Sequence, residues 1–314
     1  MTEHLLETAS EQQPLPEPTP TETEPKRLTR RQLILRRFVR NKTAVVGLVT
    51  IVALIIIAIV GPYLAHWTYD YVDRRAYLKP PSERHIWGTT QGGRDMFALT
   101  LRGLRKSLLI GLLVAILSTG IAAMVGSFAA YFGGWWERVA LWLTDLLLVV
   151  PSFLLIAVMT SGGSKGADAW VLLVFLLAAF GWMLSARVIR SLCLSVKERD
   201  YVHAAKFMGL SPARTITRHI LPNISSLLII DATLNVGTAI LAETGLSFFG
   251  FGVQSPDTSL GTLLADGARQ VNSFPWLFWG PAITVVLLVL CVNSVGDGLR
   301  DALDPSSASG GTAR

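Results

Sequence analysis

The feature that most constrains this chain is an uninterrupted apolar run at residues 44–64, AVVGLVTIVALIIIAIVGPYL, which contains no charged residue. About 20 predominantly apolar residues are enough to cross the hydrocarbon core of a bilayer as one helix. Composition agrees with this, since only 16% of the residues are charged, whereas soluble domains average about 25%. The run therefore predicts a membrane-spanning helix.

Five further apolar runs follow the first along the chain. They cover residues 108–131, 139–160, 170–184, 224–241 and 276–295. The predicted fold class is an all-α integral membrane protein with six transmembrane helices, formed by residues 44–305.

The positive charge is concentrated in two segments that flank apolar runs. One covers residues 26–42, just before the first run, and the other covers residues 187–218. Excess Lys and Arg mark the cytoplasmic loops of membrane proteins. We therefore predict a multi-pass membrane protein with both termini in the cytoplasm, and the resemblance described below implies that the membrane is the bacterial cytoplasmic membrane. This placement favours a lipid bilayer, not nucleic acid, as the partner of the net charge of +6.

The segments outside the apolar region differ in composition. Residues 1–25 are rich in Pro, Glu and Thr, so they cannot bury enough apolar surface to fold and are predicted to be a disordered cytoplasmic tail. Residues 26–43 alternate basic and apolar side chains. They are either an amphipathic segment on the inner membrane surface or a solvated basic flank. Residues 306–314 are predicted to be a disordered C-terminal tail.

The sequence gives no support for catalysis. It contains no G-x-x-x-x-G-K-[ST] phosphate loop, and its G-x-S-x-G match, GGSKG at residues 162–166, lies in a short connection between two apolar runs and not between a strand and a helix. His203 and His219 have no carboxylate or Cys at a spacing that would complete a metal site. We predict that the chain is not an enzyme and that it carries no metal and no cofactor.

A short basic stretch, YVHAAKFMGLSPARTITRHILPN at residues 201–223, separates two apolar runs. Asp200 precedes it and favours a helix start through the helix dipole. Val202, Ala205 and Met208 recur at a spacing of three and predict one apolar stripe on a short helix. Gly209 then stands where a left-handed helix stop is expected.

The second half of this stretch predicts another short helix. Ser211 is a good N-cap residue, and Pro212 suits the first helical position. Arg214 and Arg218 share one face because they are four residues apart, and Pro222 is expected to close the unit before the next span. Two interpretations are open at this point: a rigid two-helix contact at the inner membrane face, or a passive amphipathic loop on lipid headgroups.

The stretch resembles the cytoplasmic EAA loop of ABC importer permeases. That family pattern is E-A-A, three residues, Gly, nine residues and then I-x-L-P, and this chain has His203-Ala204-Ala205, Gly209 and His219-Ile220-Leu221-Pro222 in the same register. Two positions depart from the pattern. His203 stands where the family has Glu, and His219 stands where many members have Ile.

Three other segments are similar to the dipeptide, oligopeptide and nickel branch of that family. They are WGTTQGGRDMFALTLRGLRKSLLIGL, in which Thr90 replaces an Asp, LAETGLSFFGFGVQSPDTSLGTLLADG and GDGLRDALDP. The resemblance covers roughly residues 36–305. It implies the membrane domain of a type I ABC importer, a permease that carries peptides, with nickel chelates or glutathione-like solutes as alternative substrates.

The resemblance also implies partners and contact residues. The expected partners are a homologous permease in a heterodimer, separate ABC ATPase subunits and an extracytoplasmic solute-binding protein. Residues 199–222 would form the loop that couples to the ATPase subunit. Its candidate contact residues are Asp200, His203, Ala204, Ala205, Gly209, Leu210, Ser211, Arg214, Arg218, His219, Leu221 and Pro222.

Polar residues inside the apolar runs are the candidates for the substrate pathway. Asp231 and Asn235 lie four apart on the fifth run, and Asp145 interrupts the third. An intramembrane carboxylate by default faces a wet cavity or the bundle interior. The two interpretations are that these side chains line the substrate path or that they join helices by hydrogen bonds. Glu243 and Asn293 are given no role because they lie nearer the ends of their runs.

Two other classes of protein remain as alternatives on the residues alone. A secondary transporter or channel would also be helical and polytopic, but it would usually carry inverted repeats or broken helices. A membrane-anchored scaffold would depend mainly on the basic N-terminal segment.

Overall fold

The computed structural model describes residues 29–161 and 169–303 of the chain. Within these ranges every element is helical, and the one β-type contact is an isolated bridge between Thr89 and Asp95. The predicted all-α class is confirmed. The tails predicted at 1–25 and 306–314 lie outside the described residues.

The described residues contain twelve α-helices and one π-helical segment. In chain order they are α1 (Arg30–Arg40), α2 (Lys42–Leu64), α3 (Met96–Phe132), α4 (Gly134–Val149), α5 (Ser152–Ser161), α6 (Ala169–Gly181), α7 (Met183–Lys197), α8 (Asp200–Phe207), α9 (Pro212–Thr215), the π segment Ile216–Ile220, α10 (Leu221–Phe248), α11 (Leu260–Ala268) and α12 (Trp276–Leu303).

Among the described residues, four continuous helices are long and apolar enough to cross a membrane. They are α2, α3, the helix that runs through α9 and α10 (Pro212–Phe248), and α12. Two bent pairs, α4 with α5 and α6 with α7, pass the same test when each pair is taken together. Counting each pair as one span gives six, in agreement with the six apolar runs.

The third span is broken where the sequence predicted one continuous helix. The axes of α4 and α5 differ by 73°. Val150 ends α4 in an extended conformation with ψ of 125°, which is the conformation that a following proline such as Pro151 imposes. The break therefore follows from a local steric rule that apolar composition does not show.

The fourth span is longer than predicted and is also bent. It continues through α7 to Lys197, and α6 and α7 meet at 45°. The bend falls at Gly181 and Trp182, and the Trp182 indole donates to the carbonyl of Ala179 at 2.8 Å. Glycine weakens a helix at such a point. The sequence predicted a loop for the basic part of α7, because charged residues usually mark the end of a span.

Helix α3 is the centre of the packing, with buried residues along its length from Met96 to Tyr131. It contacts α7 and α10, while α2 packs on α12. At one end of the bundle the ends of α3 and α7 surround the π segment in a common apolar cluster. We call this the α8 end, and we call the opposite end, where α11 lies, the α11 end.

The basic segment before the first span forms helix α1. Phe38 is buried in a cluster with Ala44, Val295 and Ala302, so α1 rests on the last turns of α12. The approach is close, since a Cβ on Gly298 would lie 3.3 Å from Cε2 of Phe38 on α1 and 2.2 Å from the Ala44 Cβ at the start of α2. The outer apolar edge of α1 is exposed, and its contact with a membrane surface stays a prediction.

Candidate functional site

The turn after α8 has the geometry that the sequence predicted for Gly209. Its φ is +78°. The Gly209 N–H donates to the Lys206 carbonyl at 2.9 Å, and the Leu210 N–H donates to the Ala205 carbonyl at 3.2 Å. These two bonds define a Schellman motif, which requires a left-handed residue and fixes the direction in which the chain leaves the helix.

Helix α8 has a buried side and an exposed apolar tip. Val202 and Ala205 are fully buried, as their spacing predicted. Met208 was predicted on the same stripe, and this was wrong: it is 72% exposed, and the neighbouring Phe207 is 89% exposed. The helix ends at Phe207, so Met208 turns away with the cap. The two side chains form an apolar surface at the α8 end, which we call the α8 tip.

Ser211 and Pro212 occupy the predicted N-cap and first helical positions of α9. The Ser211 side chain makes no capping hydrogen bond, so Ser211 holds the N-cap position without the bond that usually favours serine there. Its carbonyl instead accepts from the N–H of the buried Thr215 at 2.9 Å and from the Thr215 hydroxyl at 3.2 Å. The buried Thr215 hydroxyl therefore stabilises the start of α9 by binding the Ser211 carbonyl.

Pro222 was predicted to close the two-helix unit, and the structure contradicts this. The chain continues from α9 into α10 as one helix through the π segment. The Leu221 N–H donates to the carbonyl of Ile216, five residues back. Pro222 lacks an N–H and cannot continue the ordinary α-helical ladder, and a single wide turn is a known way to accommodate such an interruption. The unit is thus rigidly continuous with the fifth span.

The remaining predicted contact residues are exposed or half-buried, and residues outside that prediction support them from below. Ile216 and Ile220 are buried in the cluster at the ends of α3 and α7, and Lys206 lies 5.0 Å above the Tyr131 ring of α3. His203 lies 3.7 Å from the Glu198 carboxylate. The predicted residues that are exposed or half-buried at the α8 end are Asp200, His203, Ala204, Leu210, Arg214, Arg218, His219, Leu221 and Pro222.

Asp231 and Asn235 lie together between three helices. The Asp231 carboxylate accepts from the hydroxyls of Thr119 on α3 at 2.8 Å and Ser185 on α7 at 2.7 Å. The Asn235 amide donates to Asp231 at 3.0 Å and to the same two hydroxyls. Both polar residues are half-buried. Every partner is thus another side chain at the same level of the bundle, so the group forms a closed hydrogen-bonded cluster.

Asp145 is not part of this cluster. It lies on α4 and forms an ion pair with Arg187 of α7. Ser185 and Arg187 are two residues apart, so they point to opposite sides of α7. The sequence named Asp145 as a pathway candidate alongside Asp231 and Asn235, and the structure does not bring it into their cluster.

Glu243 is the polar residue whose importance the sequence analysis missed. It is 0% exposed, and its carboxylate accepts from the hydroxyls of Ser107 on α3 at 3.2 Å and Ser247 at 2.6 Å. Ser107 in turn accepts from the backbone N–H of Leu260, the first residue of α11. Glu243 therefore ties α3, α10 and α11 together. The spacing of Glu243 and Ser247, four residues apart, is the signal that could have indicated it.

Ion pairs of Asp257 with two basic residues of α3 also stabilise the α11 end. Asp257, in the segment before α11, pairs with Lys106 and, at 3.1 Å, with Arg102. Burial raises the pKa of Asp257, but the hydrogen bond and charge of Lys106 and the charge of Arg102 outweigh it and hold that pKa below its usual range. Lys106 also lies 4.2 Å above the Trp170 ring. The carboxylate is thus kept ionised where three segments meet.

The segment GTTQGGRD, which carried part of the resemblance, forms the turn before α3. Gly93 has a φ of +69°, and the Thr90 hydroxyl accepts from the Arg94 N–H at 3.1 Å. Asp95 caps α3 by accepting from the Ala98 N–H at 2.8 Å and also binds His85 at 2.9 Å. Thr90 therefore makes a turn-closing bond at the position where the resemblance expects Asp.

Two family models match this chain. Residues 122–308 match the binding-protein-dependent transport system inner membrane component. Residues 29–81 match the N-terminal transmembrane domain of oligopeptide transport permease C. Together they include both bent pairs, the α8 end and the first span.

The curated relatives extend over nearly the whole chain. It is 53% identical over 281 residues to the oligopeptide transport system permease protein OppC of Mycobacterium tuberculosis, which covers 90% of this chain and 96% of that protein. The OppC proteins of Bacillus subtilis and Haemophilus influenzae are 36% and 37% identical, covering 86% of this chain and 87% and 86% of their own lengths.

The helical bundle with its protruding two-helix unit is that of a membrane permease subunit of a binding-protein-dependent transport system. The chain belongs to the family of the binding-protein-dependent inner membrane components.

Proposed function

We propose that this chain is one of two permease subunits of an ABC importer that takes up peptides. The observation that carries the proposal is the α8 tip. An exposed apolar pair, Phe207 and Met208, is held by the Schellman turn at Gly209 on a base of buried side chains. Its relatives are named oligopeptide permeases. An apolar knob on a rigid base is suited to docking in a groove of an ATPase subunit.

The continuous helix from Pro212 to Phe248 gives this docking site a mechanical connection. A displacement at α9 would pass along the helix to Asp231 and Asn235 without an intervening loop. Arg214 and Arg218 are exposed on the same unit and would supply charge to the contact, while the buried Ile216 and Ile220 keep it seated on α3 and α7. Asp145 would lie beside the path that opens between this subunit and a homologous partner, while the Asp231 cluster would join α10 to α3 and α7.

The proposal predicts a strict requirement for a second permease. Proteoliposomes that contain this chain, a homologous permease, the ATPase subunits and the solute-binding protein are expected to accumulate labelled peptide when ATP is supplied inside. Omitting the homologous permease should reduce uptake to background, because six spans form only half of a two-fold pathway. Full uptake by a complex with this permease alone would contradict the heterodimer, and no peptide uptake by the complete complex would contradict the function.

The topology is tested by thiol labelling from outside the cell. The two native cysteines, Cys193 and Cys291, are buried, so single engineered cysteines at exposed positions can be read directly. Tyr71→Cys and Gln254→Cys should react with an impermeant reagent in intact cells, since both belong to the α11 end. In cells that lack the ATPase subunits, Phe207→Cys should react only after the membrane is opened. Labelling of position 207 in intact cells would overturn the orientation.

A further inference from the structure

Asp145 and Arg187 form an ion pair whose two side chains are exposed and lie about halfway along the length of the helices. Asp145 follows the start of α4 at Gly134 by about three helical turns, and Arg187 precedes the end of α7 at Lys197 by a similar length. Both are therefore roughly 15 Å from the α8 end, which is half the thickness of a bilayer core. Yet the Asp145 side chain is 61% exposed and the Arg187 side chain 41%.

Exposed charge at this depth is incompatible with a lipid-facing surface. Each charge at the centre of a helix in hydrocarbon costs about 2.5–3.5 kcal/mol even on the lowest scales. The exposed sides of α2 and α12 follow the expected rule at mid-span, with apolar residues such as Val52 and Val286. The side of α4 and α7 that carries the pair therefore does not face lipid. It faces either the partner permease or water, and water at mid-membrane belongs to a translocation path.

The Asp145–Arg187 pair also differs from the Asp231 cluster, which lies at the same level of the bundle, because it has hydrogen-bonding capacity left for a ligand. The Asp231 cluster consists of mutual side-chain hydrogen bonds. Arg187 has five N–H donors. One Nη group is paired with Asp145, and the Nε is buried without a hydrogen-bond partner among the described residues, so a ligand would reach the guanidinium through its Nη groups. The two Nη groups of a guanidinium can bind a carboxylate in bidentate geometry. The exposed neighbours Leu184 and Val188 add apolar wall around it.

We propose that Arg187 binds the free C-terminal carboxylate of the peptide as it crosses the membrane. Asp145 is a positioning residue, which holds the guanidinium and balances its charge when no peptide is present. The site would select peptides with a free carboxyl terminus over amidated ones. This inference rests on the proposed peptide uptake and assigns the ligand chemistry of its path.

The test is ATP-driven uptake by the complete complex of tri-alanine with a free carboxylate and of tri-alanine amide. Each is supplied at equal occupancy of the solute-binding protein, measured separately. The wild-type complex should prefer the free acid by about ten-fold, as one charge-assisted hydrogen-bonded contact would give. Arg187→Gln should bring the ratio close to one by losing uptake of the acid while uptake of the amide is kept.

Arg190 provides the matched control, since it lies on the same helix and also pairs with a carboxylate of α4, Glu137. Arg190→Gln should leave the preference for the free acid unchanged. A preference for the free acid that stayed unchanged in Arg187→Gln, or that Arg190→Gln removed to the same extent, would overturn the inference.

A second readout remains decisive if Arg187→Gln does not assemble. Leu184→Cys and Val188→Cys in the assembled complex should react with a small hydrophilic thiol reagent, whereas Val52→Cys on α2 should not. If the two α7 positions are as inert as position 52, the pair faces the partner subunit and the inference fails. Failure of the proposed function is distinct, because the wild-type complex would then take up neither the acid nor the amide.

Discussion

Replacing Gly209 with valine is expected to abolish transport while the protein still reaches the membrane at its normal level. Gly209 has a φ of +78°, and a non-glycine residue in that region costs about 1–2 kcal/mol, more when it is β-branched. The Schellman turn should therefore rearrange and move α9 relative to α8. The spans satisfy their own backbone hydrogen bonds in lipid, so insertion should be unaffected. The measurement is peptide uptake normalised to the amount of permease in the membrane.

The space around Gly209 makes the control unusually clear. A Cβ built at this position would have no atom within 4 Å, so the effect of a substitution comes from backbone conformation and not from a clash. Gly209→Asn should keep most activity, because Asn tolerates the left-handed region better than other residues. Gly209→Ala should be intermediate. Equal loss in all three variants would point to a steric contact of position 209 itself and against the conformational explanation.

His203→Glu belongs to the same unit and restores the residue that the EAA pattern carries. His203 lies near Glu198, so a carboxylate at 203 would add repulsion within the loop while matching the family contact. We expect this change to be tolerated, with peptide uptake and ATPase retention close to those of wild type.

Replacing Glu243 with alanine is expected to lower both the stability of the complex and its peptide uptake. The change would remove the acceptor for two buried hydroxyls, those of Ser107 and Ser247, and unsatisfied buried groups cost about 1–3 kcal/mol. It would also loosen Ser107, which binds the first N–H of α11. We expect a lower thermal unfolding midpoint of the detergent-solubilised complex and a strong loss of uptake.

Glu243→Gln is the matched variant because it keeps the shape and one carbonyl acceptor, and it should retain most stability and uptake. Asp266→Ala removes an exposed carboxylate from α11 and should have no effect on the midpoint. A wild-type midpoint in Glu243→Ala would show that the carboxylate does not hold α11 in place.

The spans and the turn at Gly209 could be predicted because their causes are local. A charge-free run such as residues 44–64 has few alternatives to a membrane helix. Gly209, Ser211 and Pro212 follow one another in an order that specifies a stop and a new start. In both cases the types of the residues in the segment are enough to determine its local conformation.

The features that the sequence did not reveal depend on tertiary contacts or on irregular helix geometry. Glu243 lies near a helix end in sequence, but α3 and α11 cover it completely. Met208 matched an apolar stripe that the helix ends too early to continue. Pro222 marked a helix end by the usual rule, whereas the π turn before it lets the helix go on. Such cases are decided by what packs around the residue.

The measurement that tests the central claim most directly is recovery of the ATPase subunit with affinity-tagged permease from membranes that contain the whole complex. The account predicts that wild type and Gly209→Asn retain the ATPase subunit, whereas Gly209→Val retains about ten-fold less, the factor that corresponds to 1.4 kcal/mol. Uptake should fall in parallel. If Gly209→Val retained the ATPase subunit and transported peptide like wild type, the α8 tip would be a passive loop and the account would be contradicted.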